Sequence, residues 1–191
     1  EVSYDNSRYF VVHIPETRSV LLVNDREQGG SEFISYLQPA LQASELANAQ
    51  MQVVEKQTDE VNQSEWEDHD VIVLDGLREI PEYWFQDLQR YVQEGKGVLF
   101  FPSEQGSIQN YNRFLELFNA GSFNGVSGEY ASFKSVEQMG NLVEGHPVLD
   151  ELFEKKADDE ILVDLPELFF FYRYQESGNT GAYNILLTAT G

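Results

Sequence analysis

The sequence contains no cysteine. That single absence removes disulfides, thiolate metal sites and cysteine nucleophiles, and it is compatible with either side of a membrane. Histidine is almost as scarce: His13, His69 and His146 are scattered without the helical or hairpin spacing that a metal centre requires. Basic residues are few as well, with 12 Lys and Arg against 33 Asp and Glu and a formal charge of −21. So acidic a chain repels nucleic acid and anionic membrane surfaces, which disfavours both as partners. The excess serves solubility or growth in high salt; an acidic site for a basic partner is the alternative reading. No apolar run approaches the ~18 residues that cross a bilayer as a helix, and no signal peptide is visible. What is present is ample for a folded core: 191 residues, 41% hydrophobic and 13% aromatic, one domain of ordinary size with or without a small appendage. The first residue is Glu1 rather than Met, and the chain stops at "NILLTATG" directly after a strand-like run. Both ends are expected to be cuts within a longer protein.

Patterning gives an order of elements. "RYFVVHIP" (8–15) is strand-like, and "SVLLVND" (19–25) is a continuous apolar run, as in a strand buried on both faces. After "REQGG", Ser31 can cap a helix carrying Phe33, Ile34, Leu37 and Leu41, with Pro39 as a kink or restart. "MQVVE" (51–55) and "DVIVLDG" (70–76) read as the next two strands. Pro81 suits a first helical turn, Trp84, Phe85, Leu88, Tyr91 and Val92 form one apolar face, and Gly95 ends the helix. "GVLFFP" is a fourth strand, and "NYNRFLELFNAG" a further helix closed by Gly121. Strands alternating with helices predict an open, mostly parallel sheet with helices on both faces. From Ser122 the pattern changes. "VSGEYASFKSVE" alternates like an exposed strand or hairpin, while "LFFFYRY" and "AYNILLTAT" flank a turn at "QESGNTG". The C-terminal third is therefore β-richer and is expected to extend the sheet. In "LFFFYRY", Leu168, Phe170, Tyr172 and Tyr174 fall on one side and Phe169, Phe171 and Arg173 on the other. Both sides are core if the strand is central; at an edge one side is an exposed docking patch. Core is the expectation.

In such a sheet, ligands bind beyond the carboxyl ends of the strands. The residues expected there are Asn24 and Asp25, Asp75, and Ser103 with Glu104. A hydrolase would use Ser103 as nucleophile with His146 as its base. His13 lies in the opening strand, and His69, preceding the third strand, belongs at the opposite end of the sheet. "PSEQG" lacks the leading glycine of a G-x-S-x-G elbow, so a turn serine is the plainer account. A phosphoacceptor or Mg²⁺ site of the response-regulator kind would use Asp25, Asp75 and Ser103, but Asn24-Asp25 stands where an adjacent acidic pair is needed. Short polar residues also simply begin turns at strand ends. Gly29-Gly30, accompanied only by Arg26, lacks the spacing of a dinucleotide fingerprint.

The stretch "DVIVLDGLREIPEYWFQDLQRYVQEGKGVLFFPSE" resembles the class I glutamine amidotransferase-like (ThuA-like) fold, and "EGHPVLDELF" is similar to an "HP" segment of that group. With "YDNSRYFVVHIPETRSVLLVND", "QNYNRFLELFNAG" and "LPELFFFYRY", most of the chain resembles the C-terminal region of BatA-type (aerotolerance-related) membrane proteins of Bacteroidetes. The resemblance implies a flavodoxin/amidotransferase-like α/β sheet over 19–191. It implies that 1–18 is a strand or linker from an upstream β-sandwich. It also implies a parent with a von Willebrand factor A-like domain and membrane spans, and an extracytoplasmic position for this domain. The amidotransferase activity does not carry over: the elbow falls near Ser103, there is no cysteine, and no H-x-E follows.

The expectation is therefore a non-catalytic interaction or structural module without a cofactor or metal. Its partners would be other envelope proteins or neighbouring domains of the parent chain. Asp25, Asp75, Ser103 and Glu104 are the candidate binding residues. The alternative is a hydrolase-like or carboxylate-dependent enzyme, or a ligand sensor with a partly apolar pocket, at the same strand ends.

Overall fold

The apolar run predicted to be a buried strand is the centre of the molecule. β1 (Arg18–Asn24) pairs in parallel with β2 (Met51–Gln57) on one side and with β3 (Val71–Asp75) on the other. β4 (Gly97–Phe101) adds in parallel beyond β3, giving the order β2–β1–β3–β4. This is the beginning of a doubly wound sheet of the flavodoxin-like order. The computed structural model describes residues 17–25, 37, 39–41, 51–129, 131–142, 166–178 and 187–190. The strand and helix starts expected at 8–15 and at Ser31 lie outside these residues, as do His13 and His146.

Both faces of the sheet are covered. On one, Leu21, Val23, Ile72 and Leu74 pack against α1 (Phe85–Gln93) through Leu88 and Tyr91, and against α2 (Ile108–Glu116) through Tyr111 and Phe114. Trp66 joins this core from a 3-10 turn at Gln63–Asp68 and meets Trp84 edge-on, with ring centroids 5.6 Å apart. The acidic segment before β3 is thus solvated at Asp59, Glu60, Glu67 and Asp68, yet anchored by a buried indole. On the other face, Val20, Leu22 and Val73 pack with Leu37 and Leu41, and residue 37 and residues 39–41 are helical.

Helix boundaries follow local chemistry with small shifts from expectation. Pro81 caps a 3-10 turn (Glu82–Trp84) that leads into α1, so it sits just outside the helix. Gly95, at φ 91°, ends that segment as expected. α2 closes earlier than Gly121: Asn119 takes the left-handed conformation at φ 53°, and Ala120 N–H reaches back to Leu115 C=O at 3.0 Å.

The C-terminal third corrects the sequence reading in its pairing. It does not extend the parallel sheet among the described residues. β5 (Ser122–Gly128) pairs antiparallel with β8 (Phe170–Gln175), so the start of "VSGEYASFKSVE" is a strand whose partner lies far along the chain rather than in a local hairpin. β6 (Glu137–Leu142) pairs with β7 (Glu167–Leu168) and β9 (Leu187–Thr190), so the strands flanking "QESGNTG" do not pair with each other. The "LFFFYRY" strand is not core on both sides either. Tyr172 packs against the main core, while Phe169, Arg173 and Tyr174 are exposed. A two-stranded ribbon has only one face to bury.

The ribbon docks through aromatic rings. Tyr111 of α2 lies edge-on to Phe100, Phe123 and Tyr172. A methyl group at Gly106 would run into the Tyr111 hydroxyl and ring. Gly106→Ala is therefore expected to destabilise the fold by about 2 kcal/mol through overpacking. Gly178→Ala, where the added carbon meets nothing, should stay within about 0.5 kcal/mol. Urea unfolding of both variants checks this; equal effects would remove Tyr111 as the cause.

Candidate functional site

At the carboxyl ends of the strands, register sets Asn24 beside Asp75 and Asp75 beside Phe101. Asn24 is 3% exposed and Asp75 6%, so the end of the sheet is polar but closed. Asn24 Nδ2 donates to Glu55 Oε1 of β2 at 2.7 Å. Its Oδ1 is buried without a hydrogen-bond partner among the described residues, a burden of about 1–3 kcal/mol. Asp25 is exposed at the end of β1, where its Oδ1 accepts from Thr58 Oγ1 at 2.8 Å. The two aspartates of the phosphoacceptor reading thus occupy unlike settings, one in solvent and one within the sheet. It is Asn24, not Asp25, that stands beside Asp75. Among the described residues, no three His, Asp or Glu side chains gather in a metal-holding group.

Ser103 sits in the expected turn after β4, and its polar groups are engaged by the fold. Its N–H donates to the Tyr111 hydroxyl at 3.0 Å, and its hydroxyl accepts from Gln105 N–H at 3.3 Å. Its carbonyl accepts from Gly106 N–H at 3.0 Å and from the Tyr172 hydroxyl at 2.6 Å. Tyr111 in turn donates to Leu77 C=O. Burial raises the Tyr111 phenol above its ordinary range, and burial likewise raises Tyr172. Both therefore remain neutral donors at physiological pH. Glu104 is exposed at the tip of the turn. The clamp by Tyr111 and Tyr172 was absent from the sequence reading. Its only trace there was a tyrosine within the predicted helix "NYNRFLELFNAG" and another in the aromatic strand "LFFFYRY".

A shallow pocket of about 480 Å³ opens beside these strand ends, lined by Asp25, Arg78, Glu79, Gln105, Gly106 and Ser107. Of the four predicted residues, only Asp25 lines it. Among the described residues its lining holds no apolar side chain, unlike the partly apolar pocket expected of a ligand sensor. Ser107 also caps α2, its Oγ accepting from Asn110 N–H at 3.4 Å. A wider cleft of about 870 Å³ lies elsewhere, between α2 and the β5–β8 ribbon, with Asn112, Arg113, Glu116 and Gln175 among its lining.

No family model, no curated protein and no solved structure matches the chain.

His69 lies at the amino end of the sheet, as its position before β3 predicted, and so on the far side from Ser103. It is 7% exposed, and its Nδ1 lies 2.8 Å from Ser19 Oγ. Its carbonyl accepts from Tyr91 Oη at 2.8 Å and from Lys96 Nζ at 2.6 Å. Asp70 beside it accepts from Ser19 N–H at 2.9 Å, and that bond holds its carboxyl below the usual range. Burial lowers the His69 imidazole below its ordinary 6.5, against the opposing pull of Asp68. The unfolded chain therefore takes up this proton more readily than the folded protein. The stability owed to neutral His69 is complete above pH 6.5 and shrinks as pH falls toward the folded protein's lower value. Asp70 acts in the same direction, but in a more acid window, below its ordinary 3.8. Denaturant unfolding across this range is expected to show stability falling with acid, and His69→Asn should flatten the upper part of the curve. An unchanged curve in that variant would assign the acid sensitivity elsewhere.

Proposed function

We propose that this chain is a non-catalytic α/β module of a membrane-anchored envelope protein, placed on the extracytoplasmic side. It works by contact with other envelope proteins or with neighbouring domains of its parent. The observation that carries this reading is the Ser103 turn. The Ser103 hydroxyl accepts from Gln105 N–H and its main chain is held by Tyr111 and Tyr172, bonds that tie the turn to its neighbours, and no described histidine stands near it as the base a serine nucleophile needs. The turn works as a joint between β4, α2 and β8. The envelope setting rests on the resemblance to the BatA-type proteins, and the acidic surface accords with a module that avoids nucleic acid and anionic lipid.

A second reading has one observation behind it: the polar pocket beside Arg78 and Asp25 has room for a small polar ligand. The two are separated by chemistry and by capture. The wild-type protein is expected to resist labelling by a fluorophosphonate and to cross-link to the same envelope partner as an Asp25→Ala/Ser103→Ala variant. Ser103→Ala alone should cost about 1 kcal/mol or less in stability, since it loses one turn hydrogen bond. Labelling that maps to Ser103 would overturn the non-catalytic reading. Loss of partner capture in the double variant would move the function into the strand-end pocket.

A further inference from the structure

Among the described residues the parallel sheet stops at β4. Gly97 N–H donates to Asp70 C=O and Phe101 C=O accepts from Gly76 N–H, so these residues turn their main chain toward β3. By the alternation of a parallel strand, the main-chain groups of Val98 and Phe100 point the other way. No strand pairs with that side of β4 among the described residues. Topology makes the vacancy conspicuous. α1 and α2 pack on the same face of the sheet, so a right-handed crossover through α2 would bring the next strand to the far side of β4. β5 instead pairs with β8.

The same strand also carries exposed apolar surface. Leu99 registers with Val73, and Phe101 with Asp75, on the face where Val20, Leu22 and Val73 are covered by Leu37 and Leu41. That cover does not reach β4: Leu99 is 51% exposed and Phe101 43%. Unpaired main-chain groups bordered by large apolar side chains are the combination that edge strands ordinarily avoid through charge, proline or a bulge. β4 has none of these within Gly97–Phe101.

We infer that the outer edge of β4 accepts an extended polypeptide strand from a partner, with apolar side chains set beside Leu99 and Phe101 and basic residues around them. Main-chain pairing with Val98 and Phe100 supplies register, and Leu99 and Phe101 supply the apolar contact. Charge selects the partner's chemistry. Glu94 and Glu104, both exposed, flank the strand, Asp75 lies beside Phe101, and the whole chain carries −21. Like charge opposes a second copy of this chain at the edge and favours a cationic strand. The inference deepens the interaction-module reading and rests on it.

The probe is a short synthetic peptide alternating valine and lysine, with valine–glutamate and serine–lysine peptides as controls. Hydrogen exchange of the protein's amides is followed residue by residue. The valine–lysine peptide is expected to bind and to slow exchange at Val98 and Phe100. Binding should fall by roughly tenfold or more in Leu99→Lys/Phe101→Lys, which puts charge where apolar contact is needed, while the melting temperature is retained. Val98→Pro, which deletes one outward donor of an edge strand, should weaken binding independently. Three results would overturn the inference: unchanged exchange at those two amides, equal binding by either control peptide, or concentration-dependent dimers abolished by Leu99→Lys/Phe101→Lys. A failure here leaves Ser103 unlabelled and the module reading standing, whereas labelling of Ser103 overturns that reading without touching the edge.

Discussion

One phenol organises the carboxyl end of the sheet. The Tyr111 hydroxyl donates to Leu77 C=O just after β3 and accepts from Ser103 N–H just after β4. It thereby ties two adjacent strand ends to α2. Its ring meets Phe100 of the sheet, and Phe123 and Tyr172 of the separate ribbon. A buried hydroxyl must find partners, and here both partners are main-chain groups of loops that would otherwise turn toward water. Gly106 is tied to the same contact because no side chain fits beside that ring. The position a catalytic turn would occupy is therefore held as structure.

The two ends of the sheet are built differently. At the amino end, Ser19, His69 and Asp70 bond across β1 and β3, with Tyr91 and Lys96 closing on the His69 carbonyl. At the carboxyl end, Asn24 and Asp75 are buried beneath loops whose exposed acids face solvent. His69 and the turn serine Ser103 thus stand at opposite ends of parallel strands. Surface carries more of the remaining chemistry than the cleft does: an edge unpaired among the described residues, two exposed apolar side chains on it, and a strong negative charge around it. Those are the properties on which the proposed strand-accepting edge rests.

Much of the parallel sheet was legible because strands buried on both faces leave continuous apolar runs. "SVLLVND" and "DVIVLDG" give β1 and β3 almost residue for residue. The two described helices, α1 and α2, were legible as helices, with errors confined to their ends. Asn119 takes the left-handed conformation two residues before Gly121, which is also at positive φ, because a short polar side chain also tolerates that conformation. The C-terminal strands were visible as strands but not as pairs. β5 finds β8, and β6 finds β7 and β9, across long stretches of chain, and alternation within one strand says nothing about its neighbour. For the same reason the strand-end residues were placed correctly as positions, while their partners, Thr58 for Asp25 and Tyr111 and Tyr172 for Ser103, were not foreseen.

By itself the sequence determined the α/β class, the order of elements, the cysteine-free chemistry and the acidic surface, since each depends on composition or on spacing along one segment. Tertiary structure decided which of those segments touch. It placed Asn24 rather than Asp25 beside Asp75, locked the Ser103 turn under two tyrosines, and left the outer edge of β4 without a strand among the described residues. Such outcomes depend on packing between residues far apart in the chain, where no local pattern specifies the partner and only the folded contacts choose it.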